Sequence, residues 1–214
     1  MTMFSRVLDF SSGLVQKLFF PQAHLTFEES PLFDASAWKN YYHFDVVDVP
    51  VPMDLQQRLD QPCPHWGQFK VRQTHLLCLV PGGVTSQKIW HMAQAGNLST
   101  SVEDKTLPPN PYWILITTKI LPDSRSKSLL EQKRDLEVFG YAIPTVLEAS
   151  VAKLALQASK KVQIYPYPAG CTRCQEEVDG FPVAIGSQDE QHLLAIFNEW
   201  NGLSGFAAVC RALN

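Results

Sequence analysis

No stretch of this chain approaches the run of about eighteen apolar residues that a membrane-spanning helix requires. The opening "MTMFSRVLDFSSGLVQKLFF" is apolar, but Arg6, Asp9 and Lys17 interrupt it. It therefore lacks the continuous apolar core and small-residue cleavage site of a secretory signal. A disulfide framework is missing too. Five cysteines, an odd number scattered at 63, 78, 171, 174 and 210, fit a reducing, cytoplasmic compartment better than an oxidising one. Excess charge of either sign is absent: 18 basic against 21 acidic residues leave a net charge of −3. That balance gives no electrostatic case for nucleic acid or an anionic membrane as the main partner. The chain has no P-loop, no Gly-x-Ser-x-Gly elbow, no dinucleotide fingerprint, no repeat and no low-complexity segment. What remains is a chain of 214 residues, 45% of them hydrophobic, which is long enough to bury a core without help from metal or disulfide.

Periodicity divides the chain into a lead-in, 1–40, and a single domain, 41–214. In the lead-in, Phe4, Val7, Leu8, Leu14, Val15 and Leu18 form a helical stripe, expected to dock on its own domain. Residues 41–49, "YYHFDVVDV", are aromatic and β-branched and predict a strand before Pro50 and Pro52. "PMDLQQRLD" has room for one or two helical turns, and "QPCPHWG" reads as a proline-rich loop. A buried strand is predicted in "THLLCLVPGG", 74–83, followed by a helix in "TSQKIWHMAQAG" capped by Thr85 or Ser86. "YWILITTKIL", 112–121, is the strongest strand signal, apolar on both faces and so expected at the centre of a sheet. A helix beginning within Asp123 to Ser128 should follow and stop at Gly140, with another opened by Pro144. "KVQIYPY" reads as a strand. "TRCQEEV", Asp179-Gly180 and "FPVAIG" predict a hairpin, because Asp-Gly accepts the positive φ of a tight turn. Residues 187–200 fit either a helix, from the Ser187/Glu190 capping box, or strands. The sum is an α+β fold: a mixed central sheet with helices on one side, finishing in antiparallel hairpins.

Few residues carry obvious chemistry. Cys171 and Cys174 form a Cys-x-x-C pair, yet the only second pair on offer, Cys63 with His65, has a single residue between its members. That is tighter than zinc sites use, so neither metal nor cofactor is expected. A thiol switch wants the pair at a helix start, whereas this one enters a strand, so Cys174 reads as a small buried residue and Cys171 as incidental. Cys63, Cys78 and Cys174 with His65 and His75 supply nucleophile and base types for a hydrolase, without a motif that sets their geometry. "VPGGVTSQ" joins a strand to a helix through two glycines, a shape that serves phosphate cradles and plain tight turns alike. The richest stretch is "LPDSRSKS", 121–128. It sets Ser124, Arg125, Ser126, Lys127 and Ser128 between a strand and a helix N-terminus, where cations, hydroxyls and open N–H groups can receive phosphate or carboxylate. The plainer alternative has Ser124 or Ser126 capping the helix while Arg125 and Lys127 point to water.

Four phrases in order, "PCPHWG" (62–67), "THLLCLVP" (74–81), "YWILITTKILPDSRSKS" (112–128) and "TRCQE" (172–176), resemble a family of uncharacterised proteins and domains of Chlamydia-like intracellular bacteria. The likeness covers roughly residues 60–212 and carries no established activity. This chain departs from the family at Cys171, where an aromatic residue is usual, and at "GSQDEQ", where a glycine-rich strand end is usual. The resemblance implies a β-rich C-terminus and so favours strands over 191–212. Segments 121–128 and 171–176 both fall in these phrases, and the candidate anion- or partner-binding residues are Ser124, Arg125, Ser126, Lys127, Arg173 and Glu176, with the meeting of the two segments left for a structure to decide. The expected function is a non-catalytic binding or host-interaction module of an intracellular bacterium. Its partner would be a protein or a small acidic ligand, and delivery to a host cell would not use a signal peptide. The alternative is a small hydrolase or transferase acting on an anionic substrate.

Overall fold

A computed structural model of the chain describes residues 32–92, 107–125, 127–160, 171–178, 180–187, 193–197 and 209–211. The expected N-terminal stripe and the strand in "KVQIYPY" lie outside these residues. Two strands make the centre. β2 (His75–Val80) and β3 (Tyr112–Thr117) run antiparallel, with Leu76 opposite Ile116 and Leu79 opposite Trp113. β1 (Leu32–Phe33) adds to β2 in parallel, and β7 (Val209–Arg211) adds to β3 antiparallel, giving a mixed sheet in the order β1-β2-β3-β7. A second sheet, wholly antiparallel, is built from β4 (Thr172–Val178), β5 (Phe181–Ser187) and β6 (Leu193–Phe197).

The α+β class, the mixed sheet and the hairpin agree with the sequence reading, but the helices do not keep to one side. Side chains alternate across a strand, so a continuous apolar run buries two faces. On one face Leu76, Cys78, Val80, Ile114 and Ile116 pack with Trp38, Ile89, Trp90 and Val151. Those partners come from α1 (Ala35–Tyr42), α4 (Ser86–Met92) and α6 (Val146–Lys160). The other face sets Leu77, Leu79, Trp113 and Leu115 against Leu55, Val71 and Leu136. These belong to α2 (Met53–Leu59), α3 (Val71–Thr74) and α5 (Leu129–Glu137). Cys174, Val183 and Ile185 of the second sheet join the first of these cores.

The strand expected at 41–49 is not formed. Asp34 caps α1, its carboxylate accepting from Ala37 N at 2.9 Å, and the helix runs through Tyr42. His43, at φ 51°, ends it, and 43–52 continue without a ladder up to the two prolines. Trp38 fixes the helix from inside by donating to Leu79 O at 2.8 Å. α1 crosses the 40/41 boundary, and Phe33 and Trp38 are already part of the core.

Elsewhere the local signals lead where they point. Thr85 caps α4, its hydroxyl accepting from Lys88 N. Thr145 and Glu148 form a capping box at the start of α6, just after Pro144. The β4–β5 hairpin closes tightly, with Val178 opposite Phe181 and Gly180 at φ 81°. Asp179 lies outside the described residues. Of the ambiguous stretch, 193–197 is a strand paired with β5. No helix among the described residues is long and apolar enough to cross a membrane.

Candidate functional site

Loop 121–128 and segment 171–176, most of it strand β4, do meet, through Arg173. β4 carries this side chain inward to 1% exposure, where Nη1 donates to Gln132 Oε1 at 2.7 Å and to Lys127 O at 3.3 Å. Gln132 sits on the buried face of α5 and turns its Nε2 to Ser124 O at 2.6 Å. Ser124 is itself buried and donates its hydroxyl to Leu121 O at 2.8 Å. The chain of contacts Arg173–Gln132–Ser124 thus ties the second sheet to the loop that leaves the first. Burial disfavours the charged guanidinium of Arg173 and lowers its pKa.

The helix start has a different cap from either serine considered. Ser128 is the N-cap residue of α5, one residue before the helix begins at Leu129. Its partner in the capping box is Glu131, whose Oε2 accepts from Ser128 N at 2.7 Å and from Ser128 Oγ at 2.6 Å. A carboxylate of the chain itself therefore occupies the position where an external anion would sit on the helix dipole. These bonds and the nearby Lys127 and Arg134 keep the Glu131 carboxyl below its ordinary pKa. Lys127 does not simply face water: its Nζ pairs with Asp135 Oδ2 at 2.7 Å. Arg125 is half-buried beside Cys171, and its charge draws the Cys171 thiol downward. Burial outweighs that pull and leaves the thiol at about 11. Ser126 lies outside the described residues.

Glu176 is used in the same inward way. Its Oε2 accepts from Val146 N at 2.9 Å, at the N-terminus of α6. Gln175 N donates to Pro144 O at 3.0 Å beside it, so the outer edge of β4 is sealed by the approach to that helix. Four of the six site residues expected from sequence (Ser124, Lys127, Arg173 and Glu176) hold the fold through hydrogen bonds or an ion pair.

The thiol and imidazole candidates separate by environment. Cys63, Cys78, Cys171 and Cys174 are all buried with free thiols. Cys78 sits in the middle of β2, where burial and Glu148 push its pKa up, and burial with Glu176 and Glu148 does the same at Cys174. A thiol so shifted is not a nucleophile at neutral pH. His75 Nδ1 lies 2.8 Å from Thr74 Oγ1, so that nitrogen is not paired with a thiol. Among the described residues no group of three or more histidine, cysteine, aspartate or glutamate side chains gathers as a metal site would require.

The two glycines of "VPGGVTSQ" serve packing. A Cβ on Gly82 would come within 2.5 Å of the Asn110 backbone, so only glycine allows the two chains to cross. Gly83 N donates to Pro108 O at 2.8 Å and is not available to a phosphate.

Sequence reasoning did not single out Gln132, Arg58 or Tyr141. Gln132 was findable: it interrupts the apolar spacing of Leu129 and Leu136, and a polar residue on a buried stripe has to be bonded. Arg58 and Tyr141 carried no such signal, since their meeting depends on distant parts of the chain. Compared with known protein families, with curated proteins and with solved structures, the chain matches none.

Proposed function

We propose that this chain is a non-catalytic binding module. One observation carries the reading: the side chains best suited to chemistry are turned to holding the fold together. Arg173 is enclosed and bonded to Gln132, Glu176 accepts at the start of α6, Glu131 fills the N-terminus of α5, and the described thiols are buried. Recognition then falls to surface groups such as Leu32 and Tyr41, which flank buried Phe33 at the sheet edge, and to Val138 and Phe139. A contiguous exposed apolar patch marks a contact site for another protein. A small acidic ligand near Arg125 and Lys127 is the polar version of the same role. The host-facing part of the proposal rests on the resemblance of four phrases to proteins of Chlamydia-like bacteria.

The test compares the purified chain with two double variants, Val138→Ser/Phe139→Ser and Arg125→Ala/Lys127→Ala, after quantitative cross-linking in host-cell extract. A reproducible partner lost in one variant, with that variant still folded and unfolding cooperatively, supports the module. Turnover of phosphate or carboxylate esters by the wild-type chain, abolished by Arg125→Ala, overturns it in favour of a hydrolase.

A further inference from the structure

Three separate stretches of chain bring Arg58, His65, and Phe139 with Tyr141 against the end of β2 that carries His75. The Tyr141 ring stands between the two imidazoles, its centroid 5.4 Å from each. His65 also meets Phe139 edge-on at 5.4 Å and Trp66 at 6.2 Å. The Arg58 guanidinium lies over the Tyr141 ring, 5.9 Å from its centre. His75 is 1% exposed, yet its Nε2 has no hydrogen-bond partner among the described residues, and neither has Nε2 of His65. The Thr74 hydroxyl beside His75 Nδ1 is within reach of the Val71 carbonyl at 3.2 Å and the Lys70 carbonyl at 3.3 Å. With that proton directed to a carbonyl, Nδ1 carries the ring proton and Nε2 is a bare lone pair in an apolar setting.

The groups facing His75 are Arg58 from α2, His65 from loop 61–70, Thr74 and the Val71 backbone from α3, and the Tyr141 ring from the segment after α5. The hydrogen bond to Val71 favours the protonated ring, but burial and His65 outweigh it. The charges it feels, from His65 and Arg58, are basic. Asp60, close to Arg58 in sequence, is engaged by Arg72 at 2.7 Å and Lys70 at 3.6 Å. A proton arriving on this cluster therefore adds positive charge where the neighbouring charges are already positive.

We propose that this cluster is an acid-sensitive latch: with both imidazoles neutral it clasps loop 61–70 and segment 138–141 to the sheet, and protonation releases that clasp locally. The sign follows from linkage. Burial holds both rings below the ordinary value of 6.5, and burial with His65 and Arg58 takes His75 to about 3. In the open form the solvated imidazoles bind protons near pH 6.5; in the closed form His75 does so only near 3. The latch is thus fully stable above about pH 6.5 and loses stability as the pH falls toward 3. Between pH 7 and pH 5, His75 alone raises the opening equilibrium about twentyfold. Release would uncover Trp66 and Tyr141 beside Val138 and Phe139, which are already exposed, and so enlarge one apolar surface.

Peptide-resolved hydrogen–deuterium exchange on the full chain tests this near pH 7 and near pH 5, with intrinsic rates corrected. Exchange over 61–74 and 138–143 should rise about twentyfold or more at the lower pH, while 112–117 and 146–160 stay protected. The rise should vanish in a His65→Phe/His75→Gln variant. Exchange unchanged in those segments, a rise shared by the whole chain, or the same rise in the variant would each overturn the latch. If that variant does not fold, proton NMR titration of the wild-type imidazole C2–H signals decides. A His75 signal that titrates reversibly near pH 6.5 in the closed protein excludes the latch; one that stays neutral until the segments open supports it.

Discussion

Arg173 is a buried cation that serves architecture, and its loss should be felt as such. Changing Arg173→Met keeps much of the volume but leaves Gln132 Oε1 and Lys127 O without their donor. Bonds of this kind, with one charged partner, contribute about 1.5–3 kcal/mol. Urea denaturation should therefore show Arg173→Met destabilised by about 2–3 kcal/mol. Lys127→Ala, which removes only the partly exposed pair with Asp135, should cost about 1 kcal/mol or less. Equal losses would mean that the bond to Gln132 contributes little. The thiols offer a second residue-level check. Native alkylation near pH 7.5 should leave Cys78 and Cys174 unmodified until denaturant is added, since burial keeps both protonated and enclosed. Rapid mass-spectrometric labelling of Cys174 in the native chain would refute its placement. The role of Arg173 was not legible in advance. "TRCQE" marks the strand, but only the folded chain shows that the guanidinium turns inward.

Individual elements differ in how openly the sequence declares them. The hairpin was declared by Asp-Gly between two β-prone runs, and Gly180 indeed takes φ 81°. Nothing lies within 4 Å of a Cβ built there, so the cost of a side chain is purely one of backbone conformation. Gly180→Val should lose about 1–2 kcal/mol, whereas Gly180→Asn, which tolerates that region, should lose far less. Denaturation curves for the pair check this, and equal stability of the two would argue against the turn. The cap of α5 was equally open to view as Ser128-x-x-Glu131, though two other serines competed for the role. Ser128→Ala should cost about 1 kcal/mol by the same measurement. "YYHFDVVDV" misled because its composition suits a strand while its position does not. An upstream cap at Asp34 and the anchoring of Trp38 carry helix into it, and the prolines beyond prevent a ladder. Strand propensity describes fitness for a half-buried surface, and tertiary packing decides whether such a surface is supplied.

At the scale of the molecule, β2 and β3 show what a strand sequence can reveal about its surroundings. Both are apolar on both faces, which already implies cover on both sides of the sheet, and the structure supplies it. Expecting helices on one side alone overlooked that implication. Whether segments 121–128 and 171–176 meet was open in the sequence, and the Arg58–His65–His75–Tyr141 cluster arises only from the three-dimensional fold. The order β1-β2-β3-β7 has one further consequence, for biosynthesis. β3 is complete at Thr117, but its outer neighbour begins only at Val209, 92 positions later. At roughly 5–20 residues per second, a ribosome leaves that edge without its partner for on the order of ten seconds. The edge belongs to "YWILIT", a sequence with the β-propensity and low charge that favour pairing with foreign strands. A chain stopped before residue 209 should therefore emerge as aggregate, and one released with 209–211 in place should remain dispersed. Pelleting of nascent-chain products of the two lengths measures the difference, and equal dispersal of both would show that β3 is shielded by something other than its late-arriving neighbour.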